Sequence, residues 1–202
     1  MEAVQEELRS RFGLYLSLKG VEQLTETLTA KLKQTPTAQQ IYDAAMSRSL
    51  KGIGDRFLPS SDGTGPEPPA FLSGLRIVQV TSCRNISAPE GRSDSGAFPR
   101  LLDIVVTDGV VRCHALEYSA VPSLSESKLL PGVKLRLRDV RVFNRMLLLD
   151  GRSFLGYAGE ADAQEGAAAA AAIKARTEAQ RAMLQQWSGL AAYGNGAEQG
   201  PP

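Results

Sequence analysis

Leu101-Leu-Asp-Ile-Val-Val-Thr107, then Asp108-Gly109, then Val110-Val-Arg-Cys-His-Ala-Leu-Glu-Tyr118 is the stretch that decides the fold. Two β-rich runs flank an Asp-Gly pair, which is favoured in two-residue type I′ hairpins because both central positions there need positive φ. Counting outward from such a turn pairs Val106 with Val111, Ile104 with Cys113 and Leu102 with Ala115 on one apolar face. The other face pairs Val105 with Arg112 and Asp103 with His114, so a carboxylate–imidazole contact is expected there. Each larger aliphatic side chain of the apolar face contributes about 1.5–3 kcal/mol when fully buried. A one-residue slip of either strand would turn that face to water, so the burial pattern specifies the pairing.

The period of two continues on both sides. Upstream, Leu75 to Ser82 is β-rich. Downstream of a Pro131-Gly132 turn, Val133, Leu135 and Leu137 alternate with Lys134, Arg136 and Arg138, and a second hairpin around Phe143-Asn144-Arg145 leads into Met146 to Leu149. Five short strands, with a short helix or turn at Ser123 to Leu130 between the third and fourth, fit an OB-fold barrel better than a sandwich of about seven strands.

Ahead of the strands the period is helical. Val4, Leu8 and Phe12, then Val21, Leu24 and Leu28, then Ile41, Tyr42, Ala45, Met46 and Leu50 describe three helices. Ser17 is expected to cap the second, Thr35 with Pro36 to open the third, and Gly52 to close it. The predicted organisation is α+β. A three-helix domain spans residues 1–58, a linker rich in Pro, Gly and Ser spans 59–70, and a five-stranded OB-fold barrel spans 71–159. An Ala-rich helix is expected over 160–190 and a disordered tail over 191–202, although a low-complexity tail with nascent helicity reads equally well for the alanine tract.

Composition narrows function. The 202 residues carry 23 basic and 22 acidic side chains, so no long-range positive field gathers nucleic acid. With 43% hydrophobic residues, a real core is expected. Cys83, Cys113 and His114 fit no familiar metal-ligand spacing and no disulfide framework, which reads as a reduced, intracellular and metal-free chain. No stretch approaches the roughly 18 apolar residues of a membrane span, and the acidic start Met1 to Ser10 is not a signal sequence. No glycine-rich phosphate loop or serine elbow is present, so no cofactor, small-molecule substrate or catalytic residue is expected. His114 on the outside of a hairpin, facing Asp103, reads as structural because general-base chemistry needs a nucleophile in a cleft.

Two binding surfaces remain. Lys134, Arg136, Arg138, Arg141 and Arg145 form a basic run that suits phosphates, or else a solvated edge that deters aggregation. The outer face formed by Leu101, Asp103, Val105, Arg112, His114 and Leu116 offers no aromatic ring for base stacking, so nucleic-acid contact is expected to be weak or indirect. The long connection from Arg84 to Arg100 contains Pro89 and Pro99, which limit its unfolded freedom, and Ile86 and Phe98, which lack a periodic partner. It is either an idle insertion or a recognition loop.

Several motifs resemble a known family. Tyr15-Leu16-Ser17 with Gly20-Val21-Glu22, Leu50-Lys-Gly-Ile-Gly-Asp-Arg-Phe-Leu-Pro59, Asn85-Ile-Ser-Ala-Pro89, Pro99-Arg-Leu-Leu102, Thr107-Asp-Gly109, Cys113 with Ala115-Leu-Glu117, and Pro131-Gly-Val-Lys134 are similar to the N-terminal region shared by the Tudor-domain-containing protein 3 and RecQ-mediated genome instability protein 1 family. The similarity runs in order from about Phe12 to Gly159. It implies a non-catalytic adaptor that binds topoisomerase III, a type IA enzyme, with the beta form favoured. A RecQ-family helicase is a further implied partner. In that family the loop between the first two strands reaches the topoisomerase gate. By position, Asn85, Ile86, Pro89, Phe98, Pro99 and Arg100 inherit the partner contacts. Nucleus and cytoplasm are the expected locations. No Tudor domain and no ubiquitin-binding helical module is read after the barrel, so recruitment to methylated histones or ubiquitin is not expected.

Overall fold

The computed structural model describes residues 1–60, 67–87 and 100–158. The expected Ala-rich helix and the tail lie outside those residues. Three helices come first: α1, Glu2–Glu7, which runs on into a wider π-type turn at Leu8–Phe12; α2, Leu18–Leu32; and α3, Ala38–Met46. Ser17 caps α2 as expected, its side chain accepting a hydrogen bond from Gly20 N at 3.0 Å. The cap of α3 is Thr37, not Thr35. Thr37 N donates to Gln40 Oε1 while Gln40 N donates to Thr37 Oγ1, a reciprocal box that satisfies two otherwise unpaired donors. Thr35 has Ala38 three residues on and has no such partner to offer. Gly52 does not close α3 either; that helix ends at Met46, and Gly52 bends a separate turn with φ +85°.

The strands are β1, Phe71–Asn85; β2, Leu102–Thr107; β3, Arg112–Glu117; β4, Lys134–Phe143; β5, Met146–Leu149; and β6, Phe154–Ala158. A short 3-10 turn at Glu126–Lys128 sits between β3 and β4, where an interruption was expected. Antiparallel pairings β1–β2, β2–β3, β4–β5 and β1–β4, with β3 and β5 parallel, close the first five strands into an OB-type barrel. The sixth strand was not foreseen. It continues from β5 along β4, pairing Lys134 with Ala158 and Leu137 with Phe154. Gly156 within it has φ +130°, a conformation and composition that hide a strand from a propensity reading.

The register of β2 and β3 departs from the two-residue turn. Val106 faces Cys113, Ile104 faces Ala115 and Val105 faces His114, so the connection is the four residues Asp108 to Val111. A shift of two residues keeps every side chain on its expected face. Leu102, Ile104, Val106, Cys113 and Ala115 are therefore all fully buried in the barrel core with Val78, Val80, Leu135, Leu137, Leu147 and Leu149.

What lengthens the loop is Asp108, which has no exposed surface. Its Oδ1 accepts from Val110 N and Val111 N, and its Oδ2 from Phe57 N and Leu58 N, each at 2.9 Å. Gly109 and Gly54 pass close together beside it: a Cβ on Gly54 would run into the Asp108 carbonyl, and one on Gly109 into that of Leu50. The loop is thus shaped by the strap Leu50–Leu58 that it docks on. A second core, built on Leu8, Leu14, Leu16, Leu24, Ile41 and Leu50, includes Ile77 from β1 and Ala158 from β6. Gln79 Oε1 accepts from Leu50 N, and Ile77 N donates to Gly13 O, which joins the helices to the barrel wall.

Candidate functional site

The β1–β2 loop leaves the barrel from Asn85 and returns at Leu102, and these two residues are ladder partners. Both ends of the loop therefore spring from one rung of the sheet. Asn85 Oδ1 accepts from Ser87 N and from Leu101 N, and Ile86 N donates to Leu101 O at 2.9 Å. Asn85 and Ile86 thus stand at the root, and the Ile86 side chain is 43% exposed. Pro89, Phe98 and Pro99 lie outside the described residues.

Arg100 is part of a latch and does not project freely from the root. Its Nε and Nη2 reach Glu117 Oε2 and Oε1 at 2.8 and 2.6 Å, and Nη2 also donates to the carbonyls of Val121 and Leu124. The Glu117 side chain is 2% exposed and accepts from Val121 N as well. A forked guanidinium on a buried carboxylate fixes orientation as well as position. Glu117 could have been found by sequence alone. It falls on the inward row with Cys113 and Ala115, where a carboxylate needs a partner to be buried at all.

Cys83 lies beside this root with its thiol pushed up to about 12, chiefly by burial, then by the carboxylates of Glu126, Asp103 and Glu117 against the opposing charge of Arg100. Cys113 is also pushed up to about 12 by burial. Both are protonated at neutral pH and poor nucleophiles. The expected Asp103–His114 contact forms at 2.8 Å, between diagonal neighbours, since Val105 faces His114. Asp103 also takes Arg84 Nε at 3.3 Å, so its carboxylate is occupied on both oxygens.

The basic strand divides in two. Lys134 is buried at 3% exposure, and its Nζ donates to Met46 O at 2.7 Å and to Gly132 O. That corrects its assignment as a nucleic-acid contact: the lysine caps the carbonyl end of α3 from the barrel wall. Arg136, Arg138 and Arg141 are exposed, while Arg145 sits half-buried in the β4–β5 turn.

Comparison with known proteins bears on the barrel and its loop together. The family model described as RMI1, N-terminal OB-fold domain, matches residues 90–169, from inside the loop through β6. The barrel is an OB fold, and over those residues it is similar to the RMI1 N-terminal OB-fold domain. Tudor domain-containing protein 3 of Danio rerio is 34% identical over 151 residues, 74% of this chain and 20% of that protein. The protein of that name from Xenopus tropicalis is 33% identical over 119 residues, 58% of this chain and 16% of that protein. RecQ-mediated genome instability protein 1 of Oryza sativa subsp. japonica is 30% identical over 115 residues, 55% of this chain and 14% of that protein. The chain thus spans a fifth or less of the length of these relatives. The helices and the OB fold agree with the architecture that the resemblance implied.

Proposed function

We propose that this OB fold belongs to a non-catalytic accessory subunit in genome maintenance that docks on topoisomerase III through its β1–β2 loop. The observation that carries the reading is the root of that loop. Asn85 gathers both strand ends, and Arg100 is forked onto the buried Glu117. A long connection with both ends fixed at its base has less freedom left to lose, which lowers the ordering cost of engaging a partner. The apolar Ile86 stands exposed beside the base, as a contact residue would. The beta form is favoured because the Tudor-type relatives match more of this chain; the rice relative, whose name ties it to RecQ, keeps a RecQ-family helicase among the proposed partners. Nucleus and cytoplasm remain the proposed locations.

Pull-down of purified topoisomerase III beta tests the proposal, with the alpha form alongside. Residues 88–99 are to be replaced by a Gly-Ser segment of equal length, leaving Asn85 and Arg100 in place so that the barrel keeps its latch. Capture by the parent chain and its loss in the replacement are expected. Full capture by the replacement would remove the loop from the interface, and no capture by either chain would remove the partner.

A further inference from the structure

On the β1–β4–β5 wall, two rings flank a guanidinium. Phe71 faces Arg141 across the β1–β4 ladder, and Phe143 follows two residues after Arg141 on the same strand. Leu72, Val140 and Val142 point into the core, so Phe71, Arg141 and Phe143 all point outward. Phe71 is 53% and Phe143 55% exposed, which is unusual for side chains of this size on a closed barrel. As diagonal ladder neighbours, residues 71 and 143 stand about 7–8 Å apart at the backbone, near enough for adjoining bases to lie on their rings. Arg136 and Arg138 extend the same outward row, and no ion pair among the described residues involves these two or Arg141. An open groove lined by Pro68, Ala70, Val142, Phe143 and Arg145, with Glu67 as its acidic member, continues past Phe143 at the β4–β5 turn.

We infer that Phe71, Arg141 and Phe143 form a binding platform for single-stranded nucleic acid, with Arg136 and Arg138 following its backbone. The chemistry favours this occupant over an acidic peptide. Exposed guanidiniums would suit either, but two exposed π-faces beside them suit bases, because any base stacks on a ring regardless of sequence. β2 and β3 carry no aromatic residue, whereas β1 and β4 carry Phe71 and Phe143. The platform is independent of the topoisomerase reading, since Phe71 stands at the opposite end of β1 from the loop root at Asn85 and its other members are on β4.

Fluorescence anisotropy of a labelled oligothymidine with the full chain at low salt tests the inference. Binding is expected, and Phe71→Ala and Phe143→Ala are each expected to weaken it by about fivefold or more. Phe143→Trp is expected to preserve it. Arg141→Ala is expected to lower the slope of log affinity against log salt by about 0.7, the share of one phosphate on a single strand. Because both rings are more than half exposed, the thermal midpoints of the variants should match the parent and exclude misfolding as the cause. Absence of binding at low salt would overturn the inference. So would alanine variants of both rings that bind like the parent, or a polyglutamate peptide that binds as tightly as the oligonucleotide, since either result reduces the site to charge alone.

Discussion

Residues 108–111 and residues 144–145 each reverse the chain between two barrel strands, and they do so by opposite means. The first connection holds Asp-Gly, the pair best suited to a two-residue turn, yet it opens into four residues. The second holds Asn144-Arg145 and makes the tight turn, with Phe143 facing Met146 and both central residues at positive φ, 47° and 61°. An arginine there is locally unfavourable. The difference lies in the surroundings. Asp108 has four backbone donors to satisfy, two of them from the strap that crosses from the helices, whereas the β4–β5 turn closes a short hairpin ladder and accepts the Cys113 thiol on the Arg145 carbonyl at 3.2 Å. A buried carboxylate with four N–H partners outweighs the preference of a dipeptide for a turn type, which is worth only about 1 kcal/mol.

The largest expected effect breaks the first turn. Asp108→Ala orphans the N–H groups of Phe57, Leu58, Val110 and Val111, of which Leu58 is a core residue. A loss of about 3–5 kcal/mol is expected in urea denaturation. A loss below about 1 kcal/mol would mean that the loop keeps its shape without the carboxylate.

A smaller effect of opposite sign sharpens the second turn. Arg145→Gly supplies the residue that positive φ favours and creates Asn-Gly, so a gain of about 0.5–1 kcal/mol is expected in the same assay. A destabilised variant would show that the Arg145 side chain, and not its backbone, holds the hairpin.

The smallest effect concerns Asp150, which does for the β5–β6 turn in the open what Asp108 does when buried. Its Oδ1 accepts from Ser153 N and Arg152 N, and the hydrogen bond from Ser153 N is the first cause of a carboxyl held below its usual value. A depressed folded-state pKa contributes stability that is present above the unfolded value and is lost as pH falls through the folded one. Asp150→Asn should therefore lower stability slightly at neutral pH and flatten the acid limb of a stability–pH profile below about pH 4. An unchanged acid limb would assign that limb to other carboxylates.

Much of the barrel was legible because burial alternates with period two. The inward row Leu102, Ile104, Val106, Cys113, Ala115 and the outward contact of Asp103 with His114 both survive the two-residue shift, since parity is all that they need. The α2 cap was legible because Ser17 bonds within its own turn. The site residues were less so. Lys134 and Arg136 look equivalent in an alternating strand, yet one face of β4 near its start is covered by α3, and Lys134 reaches Met46 across 88 positions of sequence. Arg100, expected among the partner contacts, is held instead by Glu117 and the carbonyls of Val121 and Leu124, which only the fold brings beside it. Phe71 was placed before the first strand, in the linker's shadow, and only pairing with β4 puts its ring next to Arg141.

Local chemistry alone determined the three helices and the first five strands, which side of those strands is apolar, and that a long loop joins the first two. The tertiary structure decided the length of the β2–β3 turn, the fate of each charged side chain and the existence of β6. Periodicity is carried by neighbours a few residues apart, and every chain of this pattern must obey it. Whether a carboxylate or an ammonium is buried with partners, or left in water, depends also on groups outside its own element, as far off as Phe57 from Asp108 and Met46 from Lys134, and only the folded chain brings those within hydrogen-bond reach.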